Sequence, residues 1–399
     1  MYSVEDVKNF IAEEDVKFIR LAFCDVYGAQ KNISIMPDEI DRAFSTGIAF
    51  DASAVKGFGD EARSDLFLHP EPSTLTVFPW RPEHGRVVRM FCDIRHADGT
   101  PFKHDARFLL KRAVQDAREK GVRFSFGSEM EFYLFLTDEN GNPTNTPYDN
   151  AGYMDIAPTD KGENVRREIC LTLERMGLRP EASHHEEGPG QNEIDFRYSD
   201  PLSAADNTIT FRGVVRTIAA RNGLHADFSP KPLPDKAGNG YHINVSAKVD
   251  GVDANEQIAA GVLDKIREMT LFLNPCESSY ARFGKSKAPQ YVSWSAENRS
   301  QLIRIPAAQG EYRRVELRSP DSAANPYLAF LLMIYAGLDG IEKGLTLPPP
   351  ADVNLFTAPQ SVLAQYEMLP KTLEEARQIA QKGDFVKAHL PASLIETYL

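Results

Sequence analysis

The run Gly127-Ser128-Glu129-Met130-Glu131-Phe132-Tyr133-Leu134-Phe135 sets two carboxylates two residues apart in an otherwise apolar stretch. In an extended strand successive side chains point to opposite faces. Glu129 and Glu131 therefore share one face, and Met130, Phe132 and Leu134 fill the other. Two like charges on one face repel and resist burial, and a bound cation is the usual remedy. Alone, the segment reads equally well as the solvated face of an edge strand. Later segments repeat the pattern. Gly240 to Ser246 aligns His242, Asn244 and Ser246 against Ile243 and Val245. Arg314 to Arg318 aligns Arg314, Glu316 and Arg318 against Val315 and Leu317. His184-His185-Glu186-Glu187-Gly188-Pro189-Gly190-Gln191-Asn192-Glu193 is a carboxylate-rich turn running into a strand. Several carboxylates with one imidazole form a ligand set for hard divalent ions, Mg²⁺ or Mn²⁺. Arginines on the same faces point to an anionic ligand, most simply phosphate.

The elements that position these groups follow from length and pattern. A chain of 399 residues has room for two domains, one small and one large. Residues 15 to 97 read as short strands and turns, with strands at Val16 to Phe23, Ile33 to Met36, Thr74 to Phe78 and Arg86 to Asp93. Asp98-Gly99-Thr100-Pro101 is a turn and marks the boundary, giving domains over 1–98 and 99–399. Helices are predicted for Asp105 to Lys120, Glu163 to Met176 and Ser203 to Asn222. Asn325-Pro326 opens a largely apolar helix over Tyr327 to Leu338, with proline in its first turn. Thr372-Leu373-Glu374-Glu375 is a capping box. Strands and helices mix without strict βαβ alternation, which predicts an α+β protein with a largely antiparallel sheet.

Composition narrows the function classes. Hydrophobic content of 42% and charged content of 26% are ordinary for a globular protein. A net charge of −12 argues against nucleic acid or an anionic membrane as the main partner. The cysteines Cys24, Cys92, Cys170 and Cys276 lack CxxC spacing and read as buried thiols in a reducing compartment. No apolar run is long enough to span a bilayer, and the acidic start is unlike a signal peptide, so a cytoplasmic location is expected. Gly57-Phe58-Gly59-Asp60-Glu61-Ala62 fits a loose GxGxxA pattern, but no apolar strand leads into it. No P-loop and no Ser or Cys nucleophile motif is present.

The chain resembles the type I glutamine synthetase family over nearly its whole length. The resemblance is carried by Phe50-Asp51-Ala52-Ser53, Ser64 to Pro70, Gly127 to Phe135, His184 to Ile194, Lys231-Pro232-Leu233 and Gly238 to Ser246. Its most specific part is Trp294-Ser295-Ala296-Glu297-Asn298-Arg299-Ser300, then Ile303-Arg304-Ile305-Pro306, Arg318-Ser319-Pro320-Asp321 and Asn325-Pro326-Tyr327-Leu328. It implies a small β-grasp-like N-terminal domain and a catalytic domain with a curved, mainly antiparallel sheet. It implies ATP-dependent ligation of ammonia to the γ-carboxylate of glutamate through γ-glutamyl phosphate. One metal ion would be held by Glu131, Glu186 and Glu193, the second by Glu129, His242 and Glu316. Arg299 would act on the transferring phosphoryl group. Glu131, Gly238, Arg282 and Arg318 would bind glutamate, and Tyr153 would line the ammonium pocket. Glu181, Tyr198, Asn244, Ser246, Arg304 and Arg314 would surround the nucleotide. Asp51 would deprotonate ammonium in a neighbour's site, which implies a homo-oligomeric ring, hexamer or dodecamer.

The departures from the family pattern cluster around the amine. The family's flap glutamate, before an Ala-Pro pair, falls at Lys287, whose charge is expected to repel NH₄⁺. Ala237 and Ala54 replace an expected asparagine and serine, Asn244 an expected histidine, and Glu311 an expected lysine. The regulatory tyrosine of adenylylated members falls at Phe356, and the chain ends at Leu399, short of the tail that ties rings together. Alternative readings are therefore γ-glutamylation of another amine, or a weak paralogue that binds metal and nucleotide. For Arg304, pairing with Glu297 or Glu311 is the blander reading, and for Tyr198 a core position.

Overall fold

Buried apolar runs in the N-terminal strands build the first sheet. The computed structural model describes residues 2–59, 64–308 and 310–399, and of Glu311 only the backbone. After helix α1 (Val4–Glu13) come β1 (Val16–Cys24), β2 (Gln30–Ile35), α2 (Ile40–Ser45), β3 (Ile48–Asp51), β4 (Asp65–Pro70), β5 (Thr76–Val77) and β6 (Arg86–Arg95). The sheet runs β2-β1-β6-β4-β3, with β5 on β6, and β1 and β6 lie parallel. Val7 and Ile11 of α1 and Ile40 and Ala43 of α2 close its core with Ile19, Leu21, Leu68 and Met90. Ser3 caps α1 through a capping box with Asp6. The Asp98 turn forms as read, with Thr100 N–H donating to Asp98 Oδ1 at 2.9 Å. Asp60 and Glu61, within the dismissed glycine pattern, lie outside the described residues.

The remainder is built on a second, 10-stranded sheet. After α3 (Ala106–Glu119) come β7 (Val122–Thr137), β8 (Pro143–Pro147), α4 (Glu163–Arg175), β9 (Pro180–His185), β10 (Gln191–Ser199), α5 (Pro201–Arg221) and β11 (Leu224–Asp227). Then follow β12 (Tyr241–Val249), β13 (Val252–Asp253), α6 (Asn255–Leu273), α7 (Glu277–Tyr280), β14 (Trp294–Ser295), β15 (Ile303–Arg304), β16 (Val315–Leu317) and α8 (Pro326–Glu342). The sheet order is β14-β15-β16-β12-β7-β10-β9, antiparallel except for β14 beside β15. Met130, Phe132 and Leu134 are fully buried on the helix side with Ile243, Val245, Val315 and Leu317. This leaves the polar faces of five strands together on the other side. Helices α6 and α8 are buried nearly all round, so α6 lacks the one-sided apolar stripe by which a surface helix is recognised. Asn325 caps α8, its Oδ1 accepting from Tyr327 N–H at 3.0 Å. The Thr372 box is half made: Thr372 Oγ1 accepts from Glu375 N–H, while the Glu375 carboxylate accepts from Lys371 N–H. Of the cysteines, Cys24 and Cys92 are buried but Cys170 and Cys276 are half-buried, a correction to the expectation that all four are buried. Among the described residues no helix is long and apolar enough to cross a membrane.

Candidate active site

Strand register converts four sequence-local patterns into one site. Glu193 stands opposite Glu131 across β10 and β7, and opposite His184 across β10 and β9. Glu129 stands opposite His242 across β7 and β12, and Asn244 opposite Glu316 across β12 and β16. Opposed side chains on one sheet face lie about 5 Å apart at Cβ. The ligand atoms of Glu129, His242 and Glu316 all lie within 4.8 Å of one another, as do those of Glu131, Glu193 and His242. Glu186 joins through Glu193, in a third group with His184. His184 was not among the candidates. It sits two residues before Glu186, the spacing of one strand face, and its Nε2 lies 3.2 Å from Glu193 Oε1.

The charges are balanced unevenly. Burial would raise the Glu129 carboxyl, but the hydrogen bond and charge of His242, the Asn244 amide and Arg314 outweigh it and hold it down at about 2. Burial would likewise raise Glu316, which is fully buried, but Arg318, His242 and Arg304 pull it below its ordinary value against the push of Glu129. At the other end Arg318, His184 and Lys287 pull the carboxyls down too weakly to offset burial and mutual repulsion. Burial, then Glu131, Glu129 and Glu186, push Glu193 well above the usual carboxylate range. Burial and Glu131 raise Glu186. Burial, Glu193 and Glu129 push Asp195 up to about 9, and its buried Oδ1 has no hydrogen-bond partner among the described residues. Converging carboxylates with an orphaned buried oxygen fit a hard divalent cation.

These raised carboxyls give a stability prediction. Folded carboxyls that stay protonated hold protons the unfolded chain releases near about pH 4, so stability is lost as pH rises through the folded values. In chelator, the Tm is expected to fall between pH 6 and pH 8. Mg²⁺ or Mn²⁺ should raise it, and more at pH 8 than at pH 6, because the ion competes with protons for the same oxygens. Thermal melts at both pH values check this, and a cation effect equal at the two overturns it.

Glu129, Glu131, Glu186, Glu193 and His242 line a cavity of about 60 Å³ with Tyr153, Gly238, Arg282, Lys287, Arg299 and Arg318, and Glu316 lies within reach of His242 and Arg318. Glu131 accepts from Gly240 N–H at 2.8 Å and Gln191 Nε2 at 3.1 Å. Gly238 has no room for a side chain: a Cβ would meet Pro230 O at 2.5 Å and Arg282 Cγ at 2.6 Å. Buried Arg282 donates to Ser319 O, and Arg318 pairs with Glu316. Arg299 makes no ion pair or hydrogen bond among the described residues, so its exposed guanidinium is available to an anion. A second cavity, about 170 Å³, shares Glu129 and is lined by Glu181, Asp195, Tyr198, Asn244, Ser246 and Arg314. Arg314 Nε donates to Asn244 Oδ1 at 2.8 Å, and Asn244 Nδ2 to Glu129 at 2.8 Å, which links the two cavities. Arg304 lines neither. It donates to Glu316 Oε2 at 2.6 Å and not to Glu297, the Glu311 side chain lying outside the described residues, and Tyr198 is an exposed wall rather than core. Asp51 lies outside both cavities, exposed at the end of β3, its Oδ1 accepting from Ser53 N–H and Oγ. The Lys287 charge is met by Glu187, 2.5 Å away.

A grasp-like domain joined to a curled sheet, with a carboxylate face flanked by arginines, defines a ligase class. The glutamine synthetase beta-Grasp domain matches residues 15–97, and the glutamine synthetase catalytic domain matches residues 103–399. The chain belongs to the glutamine synthetase family. It is 44% identical to a glutamine synthetase of Clostridium saccharobutylicum, over 100% of this chain and 94% of that protein. It is 44% identical to one of Methanosarcina mazei, over 99% and 92%. A solved GmaS/ADP complex is 27% identical with a TM-score of 0.89, over 98% of this chain and 94% of its own. A Plasmodium falciparum glutamine synthetase shares the fold at 21% identity and a TM-score of 0.87.

Proposed function

We propose that this protein makes glutamine: ATP phosphorylates the γ-carboxylate of glutamate, and ammonia then displaces phosphate from the γ-glutamyl phosphate. The observation that carries the reading is the register that gathers Glu129, Glu131, Glu186, Glu193, His242 and Glu316 beside Arg299, which is unpaired among the described residues. Full-length identity to glutamine synthetases supports it. Glu131, Glu186 and Glu193 would hold one Mg²⁺ or Mn²⁺, with His184 beside them, and Glu129, His242 and Glu316 a second. When bound, the ions would neutralise charge on the phosphoryl group and the carboxylate it joins. The chain's own groups do the rest. Arg299 meets the phosphoryl oxygens as the bond to the ADP oxygen breaks and the bond to the glutamate oxygen forms. Arg282, Arg318 and the Gly238 backbone orient glutamate so that its γ-carboxylate faces the second cavity, where Glu181, Tyr198, Asn244, Ser246 and Arg314 receive ATP. Arg304 acts one step removed, by holding Glu316. Tyr153 walls the amine entrance. Asp51 takes the proton that ammonium must lose before its nitrogen attacks the acyl carbon.

Phosphate release in the presence of ATP and glutamate, over ammonia and a panel of amines, tests this reading. Ammonia is expected to drive it. Release with another amine alone transfers the reading to that amine, and no amine-dependent release overturns it. Because Asp51 lies away from its own chain's cavity, the active form is expected to be a homo-oligomeric ring. Mixing two inactive variants, Asp51→Asn and Glu129→Ala, should restore activity by creating intact sites between subunits. An active monomer by sedimentation refutes the shared site.

A further inference from the structure

Lys287 is not a loose positive charge at the mouth of the site. Its Nζ lies 2.5 Å from Glu187 and 4.7 Å from the centroid of the Tyr153 ring. A carboxylate plus an aromatic face is a receptor for a small ammonium ion. All three residues line the same cavity as the carboxylate face. Glu187 directly follows Glu186, and its N–H donates to Glu186 Oε2 at 3.0 Å, so its place is tied to the carboxylate cluster. The segment carrying Lys287 is closed on itself: Gly284 N–H donates to Ala288 O at 2.8 Å, and Ala288 N–H to Lys285 O at 2.9 Å. Ser286 and Lys287 both accept left-handed backbone there, φ 45° and 63°, which residues with a Cβ disfavour.

We propose that Glu187 is the carboxylate that holds the ammonium substrate, and that Lys287 is an internal cation occupying the same receptor until substrate displaces it. The inference rests on the ligase reading above and adds to it a specificity-determining pair. In place, Lys287 and Glu187 form a neutral pair over the Tyr153 ring, and little room is left in a cavity of about 60 Å³. With Lys287 turned out to solvent, Glu187 presents an uncompensated negative charge beside that ring. The exchange is accessible because both partners are exposed, at 44% and 37% of their side-chain surface. Exposed pairs of this kind favour the closed geometry by only about 1.5- to 5-fold. The loop's own hydrogen bonds let the lysine side chain rotate without unmaking the turn. The pair selects for a small cation, since a bulky substituent on the amine would have to share the space between Tyr153 and Glu187.

The test is steady-state kinetics with ammonium varied and ATP and glutamate saturating. It runs beside glutamate-dependent positional isotope exchange in ATP without amine, which reads phosphoryl transfer alone. Lys287→Gln is expected to lower the ammonium KM about 2.5- to 6-fold, since a receptor closed by a pair of this strength is open only in the remaining fraction of molecules. Glu187→Gln is expected to raise it about tenfold, the worth of one charge-assisted contact. Glu187→Asp should recover part of that loss, and the KM values for glutamate and ATP should not follow. Wild-type protein that shows no isotope exchange overturns the ligase reading itself. Wild-type exchange with an ammonium KM unmoved by Glu187→Gln, or a rise shared equally by all three substrates, overturns the assignment of Glu187. A higher ammonium KM in Lys287→Gln overturns the competitor role of Lys287.

Discussion

Glu129→Ala is expected to abolish glutamate-dependent phosphoryl transfer and leave a folded protein, whereas Glu316→Ala loses both. The two residues belong to the same candidate metal group but are held differently. Glu316 is fully buried between Arg304 and Arg318. Truncating it leaves two guanidinium groups without a carboxylate, Arg318 almost wholly buried, and removing one partner of a buried pair costs about 3–5 kcal/mol. Glu129 retains some exposure, and when it is removed Asn244 keeps Arg314 and His242 keeps Glu316 within reach. Its loss also relieves Glu193 and Asp195, both of which it pushes upward. Thermal melts of the two variants, with the isotope-exchange assay, separate these effects. Full activity of Glu129→Ala in Mg²⁺ would falsify the ligand assignment, and equal melting losses would show that the charge distribution is misread.

Arg299→Ala should show the opposite balance to Glu316→Ala: a large loss of rate at no cost in stability. Of the arginines lining the first cavity, Arg282 and Arg318 are buried and committed to Ser319 O and Glu316. Arg299 is exposed and has no partner to strand among the described residues. Its stability change is expected within about 0.5 kcal/mol, as for other surface positions. Removing a charge aimed at a developing anion typically costs about 10²–10³ in kcat, roughly 3–4 kcal/mol. Arg299→Lys keeps a charge but not the planar fork and should recover only part. A kcat within threefold of wild type would assign the phosphoryl contact elsewhere.

Where sequence reasoning succeeded, the property was local. Side-chain alternation depends only on an extended backbone, so the faces holding Glu129 with Glu131, and His242 with Asn244 and Ser246, were legible without any structure. The helix start at Asn325-Pro326 and the turn at Asp98 were legible for the same reason, since each is decided within a few residues. What stands opposite what is a different kind of fact. Which strands pair, and at which register, depends on burying the apolar faces of β7, β10, β12 and β16 against helices far away in sequence. Only that register brings His184 to Glu193 and turns Arg304 inward onto Glu316. Likewise, Lys287 read alone is a charge that repels ammonium. Folded, it lies against a glutamate 100 residues earlier in the chain, because two separate loops meet at the rim of one cavity. Chain order and backbone alternation set the chemical groups and the faces they occupy. The tertiary structure decided their partners, because electrostatic pairing acts through space and is settled only once the chain has closed on itself.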